Sequence, residues 1–157
     1  MKERGDVQVS SPAKLMGHPI HPMLIPFPIA LWVFSLAADL IYLWRDNPAW
    51  AWIAFYTLAG GTLSAIVAAV FGIIDYFSIR DKKVSKIAAW HARFNVLALL
   101  VFAASFYLRT TGGAGLVGGS LTIPLALSIV GVLSITISGW LGGELVYKHG
   151  VAVDKSN

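Results

Sequence analysis

The chain has 157 residues, of which 57% are hydrophobic and 13% are charged. Because soluble globular proteins carry about 25% charged residues, this composition predicts a membrane protein. The net charge of +4 does not indicate a nucleic-acid partner, since no basic cluster is interleaved with aromatic residues as single-strand binding requires. With no cysteine, disulfides, thiolate metal sites, iron–sulfur clusters and covalently attached c-type haem are excluded.

The N-terminal segment is polar and carries two histidine–proline pairs. Residues 1–13 mix charges with Gly and Ser without periodicity, so we expect a disordered cytoplasmic tail and no removable signal peptide. Proline disfavours helical angles in the residue before it, so His18 and His21 are predicted to be extended. In polyproline geometry these two side chains would project on the same side, about 9 Å apart.

Four apolar runs follow within residues 14–152, the predicted membrane domain, and residues 153–157 are a short tail. A membrane-spanning helix needs about 20 apolar residues. The predicted spans are residues 24–44, 49–77, 87–108 and 121–147. Small residues recur along the second span and as a pair in the fourth, a pattern that allows membrane helices to approach closely. The predicted helix-packing residues are Gly60, Ser64, Ala68, Gly72, Gly139 and Gly143.

The distribution of positive charge predicts the orientation. Four spans with short connections must alternate up and down, which places both termini and the loop after residue 77 on one side. That side carries ten of the twelve Lys and Arg residues, and only Arg45 and Arg109 lie on the other. The positive-inside rule then predicts that both termini face the cytoplasm of a bacterial-type cell, in a multi-pass protein of the inner membrane. The predicted fold is all-α, an integral membrane four-helix up-down bundle with both termini cytoplasmic.

All four histidines fall at the cytoplasmic end of this bundle. Neutral imidazole is the commonest metal ligand, so they are candidates for a cofactor or metal site. The candidate ligands are His18, His21, His91 and His149, and the candidate groups for orienting these ligands or moving protons are Asp75, Asn95 and Glu144. Asn95 follows His91 by four residues and shares its helical face.

Simpler interpretations of these residues are also open. Histidine is tolerated at membrane interfaces, and each polar group has an alternative partner. Asp75 could pair with Arg80 or Lys82, and Glu144 with Lys148. On the opposite side, we expect Asp39 to pair with nearby Arg45.

Two kinds of ligand fit the candidate histidines. One b-type haem could be held by His91 with His18, His21 or His149, with Lys14 or Arg93 facing the propionates. A zinc or copper ion held by three or four imidazoles fits the same residues, and spacing does not decide between them. No second histidine pair exists at the other face, so electrons could pass to a partner or quinone but not across the membrane. Hydrolase and kinase motifs are missing, so no reaction is predicted.

Several stretches resemble one known family. They are GHPIHPMLIPFPIAL at 17–31, Gly72 with Asp75, His91 with Asn95, and GELVYKHG at 143–150. Over residues 14–152 the chain resembles the prokaryotic membrane proteins grouped as domain of unknown function 2231. The resemblance implies a four-helix inner-membrane protein of no established activity. Relatives fused to Rieske-type iron–sulfur modules imply redox work, although this chain has no such module.

Two functions therefore stand as hypotheses. The first is a redox or metal-binding membrane protein, with haem b or a Zn/Cu ion at the histidines and an electron-transfer partner. The second is a non-catalytic scaffold or accessory subunit that docks other membrane proteins through its small-residue faces, with homo-oligomers also open. Transport has less support, since the spans contain little charge and no obvious inverted repeat.

Overall fold

The computed structural model describes residues 11–111 and 119–153. This part of the chain contains a short hairpin and five helices. The strands are β1, Lys14–Leu15, and β2, His18–Pro19, and the helices are α1, Ile20–Leu24; α2, Pro26–Arg45; α3, Pro48–Phe77; α4, Lys82–Thr111; and α5, Thr122–Tyr147. Four helical segments, one of them α1 continued by α2, are long and apolar enough to cross a membrane. The predicted all-α membrane bundle is confirmed.

The helices pack in chain order around the bundle. α2 lies along α3 and α4 along α5, while contacts of α3 with α4 and of α2 with α5 close the ring. Large apolar side chains such as Ile73, Leu100 and Leu133 point outward, as expected for helices that face lipid. We call the end with α1, the start of α4 and the ends of α3 and α5 the histidine end.

A hairpin precedes the first helix at the histidine end. Lys14 pairs with Pro19 and Leu15 with His18 across a two-residue turn. The turn residues Met16 and Gly17 have φ of 49° and 84°. Positive φ at both central positions defines a type I′ turn, which glycine favours.

Ser11 and Ala13, which were predicted to belong to the disordered tail of residues 1–13, are instead hydrogen-bonded to α3. Ser11 is buried, and its hydroxyl donates to Asp75 Oδ1 at 2.6 Å, while the Ala13 N–H donates to the same oxygen at 3.4 Å. Residues 1–10 lie outside the described residues, as do residues 154–157 of the predicted C-terminal tail. The carboxylate of Asp75 therefore fastens the chain just before the hairpin to the end of α3.

The predicted extended geometry at His21 is wrong, because His21 lies in helix α1. Pro22 is the third residue of that helix, where a backbone N–H would have no partner within the helix, so proline costs little. Ile25 joins α1 to α2 without a break, because it keeps helical angles and its N–H donates to the His21 carbonyl oxygen at 3.2 Å. The two helices form one span, Ile20–Arg45.

Helix α4 starts five residues before the predicted span of residues 87–108. Asp81 accounts for the early start, because its carboxylate accepts from the N–H groups of Lys83 and Val84 at 2.8 and 2.9 Å. The Val84 hydrogen bond, more than any other interaction, lowers the pKa of Asp81. Lys82, Lys83 and Lys86, which were predicted to lie in the loop after residue 77, thus belong to the first turns of α4, before the apolar run begins.

The buried residues show that the fold repeats itself after 70 positions. The inner face of α2 carries Pro28, Trp32, Ser35 and Asp39, and that of α4 carries Ala98, Phe102, Ser105 and Arg109. Each second number is the first plus 70. The buried residues of α3 correspond in the same way to buried residues at the start of α5 and along it. The pairs are Ala51 with Leu121, Ala54 with Pro124, Leu58 with Ser128, Gly61 with Gly131 and Ala68 with Ser138. The helix pairs α2–α3 and α4–α5 are therefore two parallel copies of one unit.

Three contacts locate the symmetry axis between these copies. The rings of His21 and His91 have centroids 6.4 Å apart. The rings of Trp32 and Phe102 stack at 4.3 Å with planes 15° apart. Arg109 Nη1 and Nη2 donate to Asp39 Oδ1 and Oδ2 at 2.9 and 2.6 Å. Each contact joins two residues 70 positions apart, which occupy equivalent positions in the two copies. Two equivalent residues can contact each other only where both lie next to the two-fold axis that relates the copies. An approximate two-fold axis thus runs along the bundle between α2 and α4.

The predicted pairing of Asp39 with Arg45 is wrong. Asp39 and Arg109 are both fully buried and form a bidentate ion pair, whereas the Arg45 guanidinium lies 4.1 Å from the Trp44 ring centroid. Sequence proximity favoured Arg45, but that residue ends α2 and is exposed. The helical register instead directs Asp39 toward α4.

The predicted helix-packing residues have different surroundings on α3 and on α5. Buried Ala68 lies on the inner face of α3, and a Cβ added at Gly72 would lie 2.8 Å from the His21 ring. A Cβ at Gly60 would meet Leu31 at 3.5 Å. On α5, a Cβ at Gly139 would meet nothing within 4 Å among the described residues, and one at Gly143 only Tyr147 of the same helix at 3.9 Å. Their place at the interface is taken by Gly131 and Gly142, which lie on the inner face of α5.

Removing Arg109 should destabilise the bundle strongly. Arg109→Ala leaves the Asp39 carboxylate buried without its partner, which costs about 3–5 kcal/mol. Arg45→Ala removes an exposed cation and should change stability by less than about 0.5 kcal/mol. Equilibrium unfolding in mixed detergent micelles measures both, and equal effects would contradict the assignment of the ion pair.

The two α5 glycines should differ in their tolerance of alanine. Gly131→Ala places a Cβ 2.5 Å from the Phe102 ring and should cost about 1–3 kcal/mol through overpacking. Gly139→Ala meets open space and should be neutral or slightly stabilising. The same unfolding assay compares them, and a Gly139→Ala loss as large as that of Gly131→Ala would refute this packing.

Candidate functional site

The structure brings two of the four candidate histidines together. His21 in α1 and His91 in α4 face each other across the axis, with ring planes at 90°. His18 is exposed in β2, where its Nδ1 lies 3.1 Å from the Met16 carbonyl oxygen. His149 follows α5 and lies near Asp81, whose pKa it helps to lower. Within residues 11–111 and 119–153, no three His, Asp or Glu side chains are grouped so as to hold one metal ion.

The His21 ring is held by α3. Its Nδ1 lies 2.9 Å from the carbonyl oxygen of Ala68, and the ring fits against Gly72. A side chain at Gly72 would collide with the ring, because an added Cβ would lie 2.8 Å from Cε1. The missing side chain of Gly72 therefore provides the space for the imidazole.

The His91 ring is held by α5 in the same way. Its Nδ1 lies 2.9 Å from the carbonyl oxygen of Ser138 and 3.0 Å from the Ser138 hydroxyl oxygen. The ring fits against Gly142, where an added Cβ would lie 3.1 Å from Cε1. The carbonyl and glycine contacts repeat those made by His21, with 47 positions between histidine and carbonyl in both halves. The hydroxyl contact has no counterpart, because Ala68 occupies the equivalent position.

These carbonyl contacts fix which ring nitrogen carries the proton. A carbonyl oxygen only accepts hydrogen bonds, so the Nδ1 of both His21 and His91 must be the donor. In the neutral imidazole the other nitrogen, Nε2, is then unprotonated, and its lone pair can accept a hydrogen bond or bind a metal. A backbone acceptor on one ring nitrogen is the usual arrangement for histidines that bind a metal through the other.

Of the three candidate groups around the histidines, only Asn95 touches the pair. Its Nδ2 lies 2.9 Å from His91 Nε2, one helical turn along α4. Asp75 binds Ser11 and the Ala13 N–H, neither Arg80 nor Lys82. Glu144 forms the predicted ion pair with Lys148 at 3.3 Å on the exposed surface. Asp75 and Glu144 thus hold the surrounding structure and have no contact with the imidazoles in the described part of the chain.

The groups that orient the two rings were not predicted from the sequence. The carbonyls of Ala68 and Ser138 could not be predicted, because any residue has one. The equal spacing of His21 to Gly72 and of His91 to Gly142, 51 positions in each case, was visible and would have revealed the repeat.

The chain is a four-helix membrane protein built as a parallel duplication of a two-helix unit, with one imidazole from each copy at the axis. The chain belongs to the family described as predicted membrane protein, DUF2231, whose profile matches residues 17–155. The match spans both copies of the unit and confirms the resemblance of the motifs. No curated protein and no solved structure matches the chain.

Proposed function

We propose that this integral membrane protein is a one-electron carrier that holds a single b-type haem between His21 and His91. The observation that supports this proposal most directly is the 6.4 Å between the ring centroids of two imidazoles. The Nδ1 of each imidazole is hydrogen-bonded to a backbone carbonyl oxygen. Bound haem iron supplies the redox chemistry by cycling between two oxidation states. His21 and His91 would hold the iron, the carbonyls of Ala68 and Ser138 orient the two imidazoles, and apolar side chains along the axis would face the porphyrin.

The ring separation favours ligands on opposite sides of one metal. An imidazole nitrogen lies about 2.0–2.1 Å from a bound metal, with the ring centroid about 1.1 Å farther out. Two imidazoles on opposite sides therefore have centroids about 6.3 Å apart, whereas tetrahedral ligands would be about 5 Å apart. The 6.4 Å between His21 and His91 supports axial ligation of haem over a tetrahedral zinc site.

The symmetry of the site supports the same ligand. A haem held here would take one imidazole on each face, and two equal ligands would be related by a two-fold axis. The axis between α2 and α4 relates His21 to His91, so the chain would present the same group to both faces. Deeper along the axis the interior is apolar, with buried Pro28 and Ala98 followed by the Trp32–Phe102 stack.

Charge and the number of histidines suggest where electrons would go. Lys14 and Arg93 are exposed at the histidine end and supply positive charge for the propionates. The chain has four histidines and no second pair, and the far end of the axis holds the Asp39–Arg109 ion pair. Electrons would enter and leave on the histidine side, through a protein partner or a quinone. The excess of Lys and Arg on that side supports a cytoplasmic orientation in an inner membrane.

A visible spectrum of the protein, expressed with haem precursor and purified in detergent, tests the proposal. We expect a Soret band and, after dithionite reduction, the sharp α-band of six-coordinate iron. His21→Ala or His91→Ala should each abolish the six-coordinate spectrum, and the double variant should bind no haem. His18→Ala and His149→Ala are matched controls that should leave the spectrum unchanged, because those side chains lie outside the pair.

Two results would refute the proposal. One is a protein that is folded but has no stoichiometric haem, which would favour a scaffold that docks other membrane proteins. The other is haem binding that His18→Ala or His149→Ala abolishes while both axial variants retain it. Elemental analysis for iron, zinc and copper on the same samples identifies any other metal.

A further inference from the structure

The two axial histidines are equivalent in the repeat but differ in what touches Nε2. Asn95 follows His91 by four residues, and its amide nitrogen lies 2.9 Å from His91 Nε2. The corresponding position after His21 is Ile25, since 25 plus 70 is 95. Among the described residues, no hydrogen-bond partner lies at His21 Nε2. The duplication is thus asymmetric at the atom that would bind iron.

The direction of the Asn95 hydrogen bond follows from the tautomer. The Ser138 carbonyl makes His91 Nδ1 the donor, so Nε2 can only accept when the ring is neutral. The side chain of Asn95 must therefore present its NH₂ group to Nε2. This amide competes with a metal for one lone pair. Ile25 is half-buried and apolar and offers no such competition at His21.

We propose that Asn95 makes His91 an exchangeable ligand, so that a haem held between the two histidines would also take a small neutral ligand in place of His91. This inference rests on the proposed haem site. His91 would give up its place to the incoming ligand, one bond to the iron replacing another with no change in oxidation state. Its Nε2 lone pair would then accept from the Asn95 amide. His21, which has no such alternative partner among the described residues, would stay bound.

Carbon monoxide titration of the dithionite-reduced, haem-loaded full-length protein tests this inference. We expect wild-type protein to give a CO difference spectrum. Asn95→Leu removes the group that receives His91 after displacement, so its CO affinity should fall about tenfold, the equivalent of one ordinary hydrogen bond. In a His91→Ala background, where no ligand has to be displaced, Asn95→Leu should have no effect on CO affinity.

The repeat supplies a reciprocal variant. Asn95→Ile combined with Ile25→Asn moves the amide to the turn after His21, which should restore CO affinity and make His21 the displaced ligand. The effect of Ile25→Asn should then vanish in a His21→Ala background. A merely structural role for Asn95 would not transfer between the two halves.

The outcomes separate the two proposals. Lack of a Soret band in the wild type overturns the haem site and this inference with it. A six-coordinate haem that does not respond to CO overturns the inference alone. Equal CO affinities of wild type and Asn95→Leu, or an Asn95→Leu effect that persists in the His91→Ala background, also overturn it alone.

Discussion

The bidentate ion pair between Asp39 and Arg109 fixes the register of α2 against α4, and the arrangement along the axis depends on that register. Both side chains are fully buried, so neither charge has water to replace its partner. A shift of one residue along either helix would separate the pair and leave two buried charges, which costs several kcal/mol. The same register stacks Trp32 on Phe102 and sets His21 opposite His91.

Duplication explains how a short chain builds a site in its interior. Each copy supplies one imidazole, one glycine that makes space for it and one carbonyl that orients it. A single two-helix unit could not surround a ligand, because half of the enclosure would be lipid. Two parallel units related by an axis enclose the space between them, and each contributes a histidine, a glycine and an orienting carbonyl to it.

The two copies of the repeat differ at a few equivalent positions, and these differences make the two halves chemically distinct. Asp39 and Arg109 occupy equivalent positions with opposite charges, which suits the pairing of two different halves. Asn95 and Ile25 give the equivalent histidines different neighbours. At the histidine end, only the first copy is preceded by a hairpin that Ser11 fastens to Asp75. These differences make one side of an otherwise symmetric site distinct from the other.

The sequence by itself determined the membrane helices, since apolar runs of about 20 residues have few alternatives in a bilayer. It also determined the two pairs related by one helical turn, His91 with Asn95 and Glu144 with Lys148, because i and i+4 residues share a helical face. Tertiary structure decided which histidines meet, which cation Asp39 binds and which glycines face another helix. Those contacts join residues 29 to 70 positions apart, so they depend on how the helices rotate and slide against each other. Local periodicity does not determine which residues of different helices meet. The offset of 70 between the two halves does identify the equivalent residues that face each other at the axis.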